Sequence, residues 1–432
     1  MRPVALAETA HLFTREERAS LAFLALATGV GATGLAAGGT AGALLGADLA
    51  GSNAAAGVPL GVLVVGSAAS ALMISSLTPR LGRAPSLALG YAVGAAGAAV
   101  VVLAAVAGSF ALLLVGSILV GAANASVFLT RYAAADSVRA EVRGRALGTV
   151  FFATALGAIV SPLLLGPSGD VVEAASLPRL SGLYGVAVLA FMFAGLTLAA
   201  ATRRVRDLGS DPVGANASEG PRVTRRELIA GLRATHARAS LLILGATNLV
   251  MVGVMAVAPV HLTEHAHHHV DHHNDGLQFV GVVISMHVAG MFAPSPVSGW
   301  LADRIGSIAV AVTGFGFLVA AGLAGTLANL DSRLTVSVLL VLLGLGWNFG
   351  IVGGSTLLSA STTVRLRPHA EGIGEVAMGI AAGLGAPVAG VLVATGGFAS
   401  LWLVGAAVAA GIGAYTISST QRWQPLAAAR GK

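Results

Sequence analysis

Twelve windows of about 20 apolar residues follow one another along this chain of 432 residues, and they leave little choice of architecture. They fall at roughly 20–43, 56–78, 86–107, 109–130, 146–167, 183–202, 239–262, 277–301, 308–329, 334–358, 371–393 and 398–418. Each is long enough for a helix to cross the hydrocarbon core, and none alternates in polarity as a barrel strand would. Composition agrees: 56% of residues are hydrophobic and 10% are charged, too little charge to cover a soluble protein of this length. The expected fold class is an all-α polytopic membrane protein with 12 transmembrane helices. The absence of cysteine excludes disulfides and thiolate metal sites.

Lys and Arg sort by side. With the N-terminus inside, 23 of the 25 basic residues fall in inner segments, and only Arg179 and Arg333 lie outside. This predicts both termini in the cytoplasm. It also explains the net charge of +6 without a nucleic-acid partner. No cleavable signal peptide is evident at the charged N-terminus. The expected location is a membrane, with lipid as the surrounding partner.

The longest polar stretch, 203–238, divides six spans from six. The expected organisation is a cytoplasmic N-terminus (1–19), a six-helix bundle (20–202), a basic linker (203–238), a second six-helix bundle (239–418) and a tail (419–432). Two such halves with a substrate path between them is a common plan of transporters. GWLADRIG at 299–306 resembles the loop signature of the major facilitator superfamily. RYAAADSVRAEVRGRALG at 131–148 resembles that family's loop after the fourth span. The resemblance implies an inner gate at Asp303 and Arg304. The matching loop of the first half, SSLTPRLGR at 75–83, keeps Arg80, Gly82 and Arg83 but lacks the acid. These residues serve gating without touching substrate.

Polar side chains inside apolar spans are costly, so they face a cavity or a partner helix. Asn124 and Asn348 hold equivalent places in spans four and ten. Asn248 and Glu375 join them as cavity or coupling candidates, with Glu375 either a proton carrier or solvated near the inner surface. Asp48 is a further possible proton carrier.

HLTEHAHHHVDHHND, 261–275, gathers seven of eleven histidines between spans seven and eight. On the outer side, a loop over 263–276 with His265, His267, His268, His269, His272, His273, Asp271 and Asp275 could collect Cu(II), Zn(II) or Ni(II). Alternatively, it could sense pH. Below it, span seven carries Met251 and Met255, and span eight carries His287 and Met291. Residues four apart share a helix face. At 1.5 Å per residue, Met251 and His287 lie at about the same depth, about 15–16 Å down. Soft thioethers with imidazole, and no thiolate, favour Cu(I). His261 stands at the rim. Methionines that merely pack are the competing explanation.

MVGVM, HVAGM with the following FAPSPVSGW, and GLGWNFGIVGGSTLL at 344–358 resemble the CcoA-like copper-uptake transporters of that superfamily. The resemblance implies that Met251, Met255, His287 and Met291 bind copper during import, in a monomer of a bacterial inner membrane. It departs in one respect, because copper-studied members carry functional cysteines. The wider family also includes riboflavin-importer-like members. The expected function is therefore copper import by alternating access, with no prosthetic group and no enzyme activity. A carrier of an organic solute, either a vitamin importer or a drug exporter, is the first rival. A metal sensor is the second.

Overall fold

The computed structural model describes residues 13–35, 37–52, 55, 57–207, 223–266, 273–328, 330 and 332–421. Within these bounds the side chains of 39, 40, 162, 203–207, 259–266, 273–281, 333, 420 and 421 lie outside the description. Among the described residues there is no strand, and ten helices are long and apolar enough to cross a membrane.

Before the linker the helices are α1 (Arg15–Thr33), α2 (Gly42–Ala50), α3 (Val58–Leu81), α4 (Arg83–Ala107), α5 (Phe110–Asp136), α6 (Arg143–Leu163), α7 (Leu165–Ala174) and α8 (Gly182–Asp207). After it come α9 (Arg225–Arg233), α10 (Thr235–Ala266), α11 (His273–Phe292), α12 (Ser295–Ile305), α13 (Ser307–Leu327), α14 (Arg333–Ser361) and α15 (Arg367–Gln421). Helices α10 and α11 extend into the expected histidine loop and leave only 267–272 between them.

Local chemistry sets the boundaries. Thr14 and Glu17 form a reciprocal capping box that starts α1. The chain turns from α3 to α4 at Gly82 (φ +88°) and from α12 to α13 at Gly306 (φ +94°), a backbone region that side chains strongly disfavour. The same glycine therefore ends the loop motif in both halves. Gly397 (φ +73°) divides α15 into two arms, which correspond to the expected eleventh and twelfth spans.

The eighth expected span is two helices. Pro294 and Pro296 cannot donate to the carbonyls of Gly290 and Phe292, and the helix breaks between α11 and α12. Ser295 Oγ takes over the Phe292 carbonyl at 2.6 Å.

Before the linker, α1 packs on α6 and α8, α4 on α5 and α8, and α3 on α5. After it, α10 and α13 pack on α14 and α15, and α11 on α14. The two segments meet chiefly where α6 touches α12 and α3 touches α15. Glycines allow that approach. A Cβ on Gly144 would stand 2.3 Å from the Gly299 carbonyl oxygen, and one on Gly372 would stand 2.5 Å from Ser75 Oγ.

Candidate functional site

One of the most deeply buried charges in the interface is Arg131. It belongs to α5, not to a loop, and is 1% exposed. The side count of basic residues places it with solvated inner arginines, but helix α5 continues past it to Asp136. A buried guanidinium needs acceptors. Arg131 Nε donates to Ser355 Oγ at 3.0 Å, Nη1 to the Phe128 carbonyl at 2.8 Å and Nη2 to Tyr132 Oη at 3.2 Å. Nη2 also donates to Glu375 Oε1 at 2.5 Å. The guanidinium lies 4.5 Å from the Tyr132 ring centre and 5.5 Å from that of Phe151. Glu375, expected as a membrane carboxylate or a solvated one, is thus a buried partner of Arg131 across the two segments.

An aromatic group adjoins it. Phe151 of α6, Phe292 of α11 and Trp347 of α14 have ring centres 5.4–6.2 Å apart. Aromatics make up only 5% of the chain, yet three of them meet where the segments touch.

His287 is 1% exposed. Its Nδ1 lies 2.7 Å from the Leu340 carbonyl of α14. A carbonyl only accepts, so Nδ1 carries the hydrogen and Nε2 presents a lone pair in the neutral ring. That Nε2 is buried and has no hydrogen-bond partner. Close packing sets the position, since a Cβ on Gly344 would stand 2.6 Å from the His287 carbonyl oxygen. Met291, one turn on, is buried, and Met251 packs against the same core. Met255 packs against the other core, with Val254 and Val283.

The remaining expected residues divide clearly. His267, His268, His269, Asp271 and His272 lie outside the described residues. His261 and His265 fall on α10, and His273 and Asp275 on α11, with their side chains outside the description. Asn348 bonds helix to helix. Its Nδ2 donates to the Met291 carbonyl and to Ser295 Oγ, both at 2.7 Å, and its Oδ1 accepts from Ser298 Oγ at 2.6 Å. Asn248 donates to the Met378 carbonyl and accepts from Trp347 Nε1. Asn124 donates to Ser67 Oγ of α3. Asp48 is exposed near the end of α2.

Where the inner gate is expected, Asp303 accepts from the backbone N–H groups of Gly144 (2.6 Å) and Arg145 (3.0 Å), which open α6. Arg304 is exposed and stacks on Trp300 at 5.1 Å. Arg80 is exposed. Arg83 pairs with Asp136 and with Glu371, and Arg367 pairs with Asp136 at 2.6 Å. The first loop lacks the acid, and its Arg83 instead pairs with Asp136 and Glu371, which are distant from it in sequence.

Among the described residues, no three His, Asp or Glu side chains gather as a metal site. A site here would draw on thioether sulfur and one imidazole.

The family model described as Major Facilitator Superfamily matches residues 21–349 and 242–430. An uncharacterised MFS-type transporter of Bacillus subtilis, YddS, is 34% identical over 390 residues, covering 87% of this chain and 85% of that protein. The riboflavin transporter RfnT of Brucella anthropi is 28% identical over 388 residues, covering 90% and 92%. The fold matches that of the Escherichia coli fucose:proton symporter FucP with a TM-score of 0.70 at 17% identity, covering 94% of this chain and 99% of that one. It matches the human organic anion transporter MFSD10 with a TM-score of 0.71 at 15% identity, covering 93% and 100%.

Proposed function

The chain belongs to the Major Facilitator Superfamily and is a multi-pass secondary transporter, and from that premise we propose that it imports copper by alternating access. In this reading twelve spans form two six-helix bundles, 20–202 and 239–418. Both termini lie in the cytoplasm of a bacterial cell, and the inner membrane carries the protein.

One observation carries the choice of substrate: the buried, unpartnered Nε2 of His287. A metal-binding histidine typically donates its other ring N–H to a carbonyl, which fixes the tautomer and aims the lone pair. Leu340 supplies that carbonyl. Met291 follows one turn later, and Met251 borders the same core. Imidazole with thioether, without thiolate, suits Cu(I). The outer histidines would raise the local ion concentration, and His261 would pass ions inward to Met255 and Met251. Copper here is cargo.

A second reading has its own support. The riboflavin transporter relative covers 90% of the chain, and the buried Phe151, Phe292 and Trp347 rings near Arg131 would offer a flat organic solute a face once the segments part. Proteoliposomes offered Cu(I) and riboflavin in separate assays distinguish the two. The copper reading expects saturable copper entry that is lost in His287→Ala. Riboflavin entry with no copper entry would replace it.

A further inference from the structure

Arg367, Glu371 and Glu375 lie four residues apart on α15 and so share one helix face. Each meets an opposite charge from the segment before the linker. Arg367 Nη1 donates to Asp136 Oδ1 at 2.6 Å. Arg83 Nη1 lies 2.5 Å from Glu371 Oε2. Arg131 Nη2 donates to Glu375 Oε1 at 2.5 Å. The ladder holds three arginines and three carboxylates.

Its rungs are unequal. Asp136 draws on two arginines, Arg83 and Arg367. Glu375 has Arg131, itself held by Ser355, Phe128 and Tyr132. Glu371 has Arg83 alone and shares it with Asp136. The Glu371 side chain is 0% exposed, and beyond the Arg83 ion pair neither oxygen has a hydrogen-bond partner. A buried carboxylate with a share of one arginine is the least compensated charge in the ladder. The ionisable groups around it are Arg83 at the start of α4, Tyr132 and Asp136 on α5, and Arg367 and His369 on its own helix. Arg143 of α6 stands behind Arg367 and Asp136. From α3, Ser75 packs against Gly372.

We propose that Glu371 is a proton-binding site that couples the gate between the two segments to a proton gradient. A proton that reaches Glu371 from the outer side converts its carboxylate to the neutral acid. Arg83 is then left to Asp136, the ladder carries one excess positive charge, and the tie between α4 and α15 is gone. The gate end separates, the acid meets inner water, and the proton leaves there. The proposal rests on the transporter reading above but not on any substrate.

The chain has no cysteine, so two introduced thiols give unique spin labels. Leu81→Cys and Ile305→Cys place them on exposed positions at the gate ends of α3 and α12. Label distances are measured in nanodiscs between pH 8 and pH 5, with no substrate added. The parent is expected to show a short distance at pH 8 and a growing long population toward pH 5. Glu371→Gln is expected to show the long distance throughout, and Glu375→Gln to keep a pH response. A parent-like response in Glu371→Gln, or one fixed distance at every pH in the parent, overturns the proposal. Should Glu371→Gln fail to fold, Glu371→Asp with infrared difference spectra on a pH step decides. The band of the newly protonated acid must shift in frequency, and an unchanged band overturns the proposal. Failure to carry copper leaves the distance change intact and falls on the substrate reading alone.

Discussion

Gly144 and Asp303 come from opposite segments of the molecule, and the Gly144 N–H donates to Asp303 Oδ1 at 2.6 Å. With the second bond, from the Arg145 N–H, the carboxylate serves as an N-terminal cap for α6 from across the interface. Negative charge is favoured there by the helix dipole. Removing such a cap costs about 1 kcal/mol, about a fivefold change in an equilibrium. Asp303→Ala is therefore expected to shift the gate about fivefold toward the open state. The same Leu81 and Ile305 spin-label pair measures it, and an unchanged distance distribution contradicts the assignment.

Gly144 faces Gly299 so closely that each would place a Cβ within about 2.3 Å of the other's carbonyl oxygen. Backbone cannot yield as a flexible side chain can. Gly144→Ala is expected to force the gate end apart by a margin visible in the same distances, with little change in the melting temperature of each half. An unchanged distance means that the helices adjust without separating.

Arg131 and Glu375 form a buried pair, and losing one member leaves the other charge stranded. Such losses cost about 3–5 kcal/mol, whereas replacing both with apolar residues is often near neutral. Arg131→Met and Glu375→Met should each lower thermal stability in detergent markedly, and the double variant should recover much of it. Additive losses contradict the pairing.

Asn348 ties the broken end of α11 to α14. Asn348→Ala leaves the Met291 carbonyl without its side-chain donor and takes one partner from each of Ser295 and Ser298, which keep their bonds to the Phe292 and Ser295 carbonyls. Stranding a buried polar group costs about 1–3 kcal/mol. A lowered melting temperature is expected, together with faster amide exchange around 291–298. Parent-like exchange there removes the tie.

Much of this was legible in the sequence, for physical reasons that also mark the limits. Apolar length fixes where most helices run, but the first expected span, 20–43, is divided among α1, a π-helical turn and α2 and is not among the ten described helices long and apolar enough to cross a membrane. Apolar length reads across the break at Pro294, which Pro294 and Pro296 together make although the single prolines Pro79 and Pro387 are accommodated within helices. Arg131 was missed because a side count treats every arginine as loop solvation. Its position seven residues after Asn124 on one long apolar run was the available signal. For Asn124, Asn248 and Asn348 the sequence left cavity and helix contact open, and the bonds observed run from helix to helix. Counting residues gives only an expected level for Met251 and His287. Rotation about the helix axis does not follow from counting. Gly290 and Gly344 draw α11 against α14, and that turns His287 toward the Leu340 carbonyl. The acids opposite Arg83 were illegible as partners, since Asp136 and Glu371 are brought to it only by tertiary packing.

Everything about the cargo turns on His287. Copper entry into proteoliposomes should be measured with Cu(I) under reducing conditions, for the parent, His287→Ala and Met291→Ala, with riboflavin as a parallel probe. The account predicts saturable copper entry in the parent, at least tenfold less in His287→Ala, and a smaller loss in Met291→Ala. Equal copper entry in the parent and in His287→Ala, or riboflavin entry with no copper entry, would contradict it.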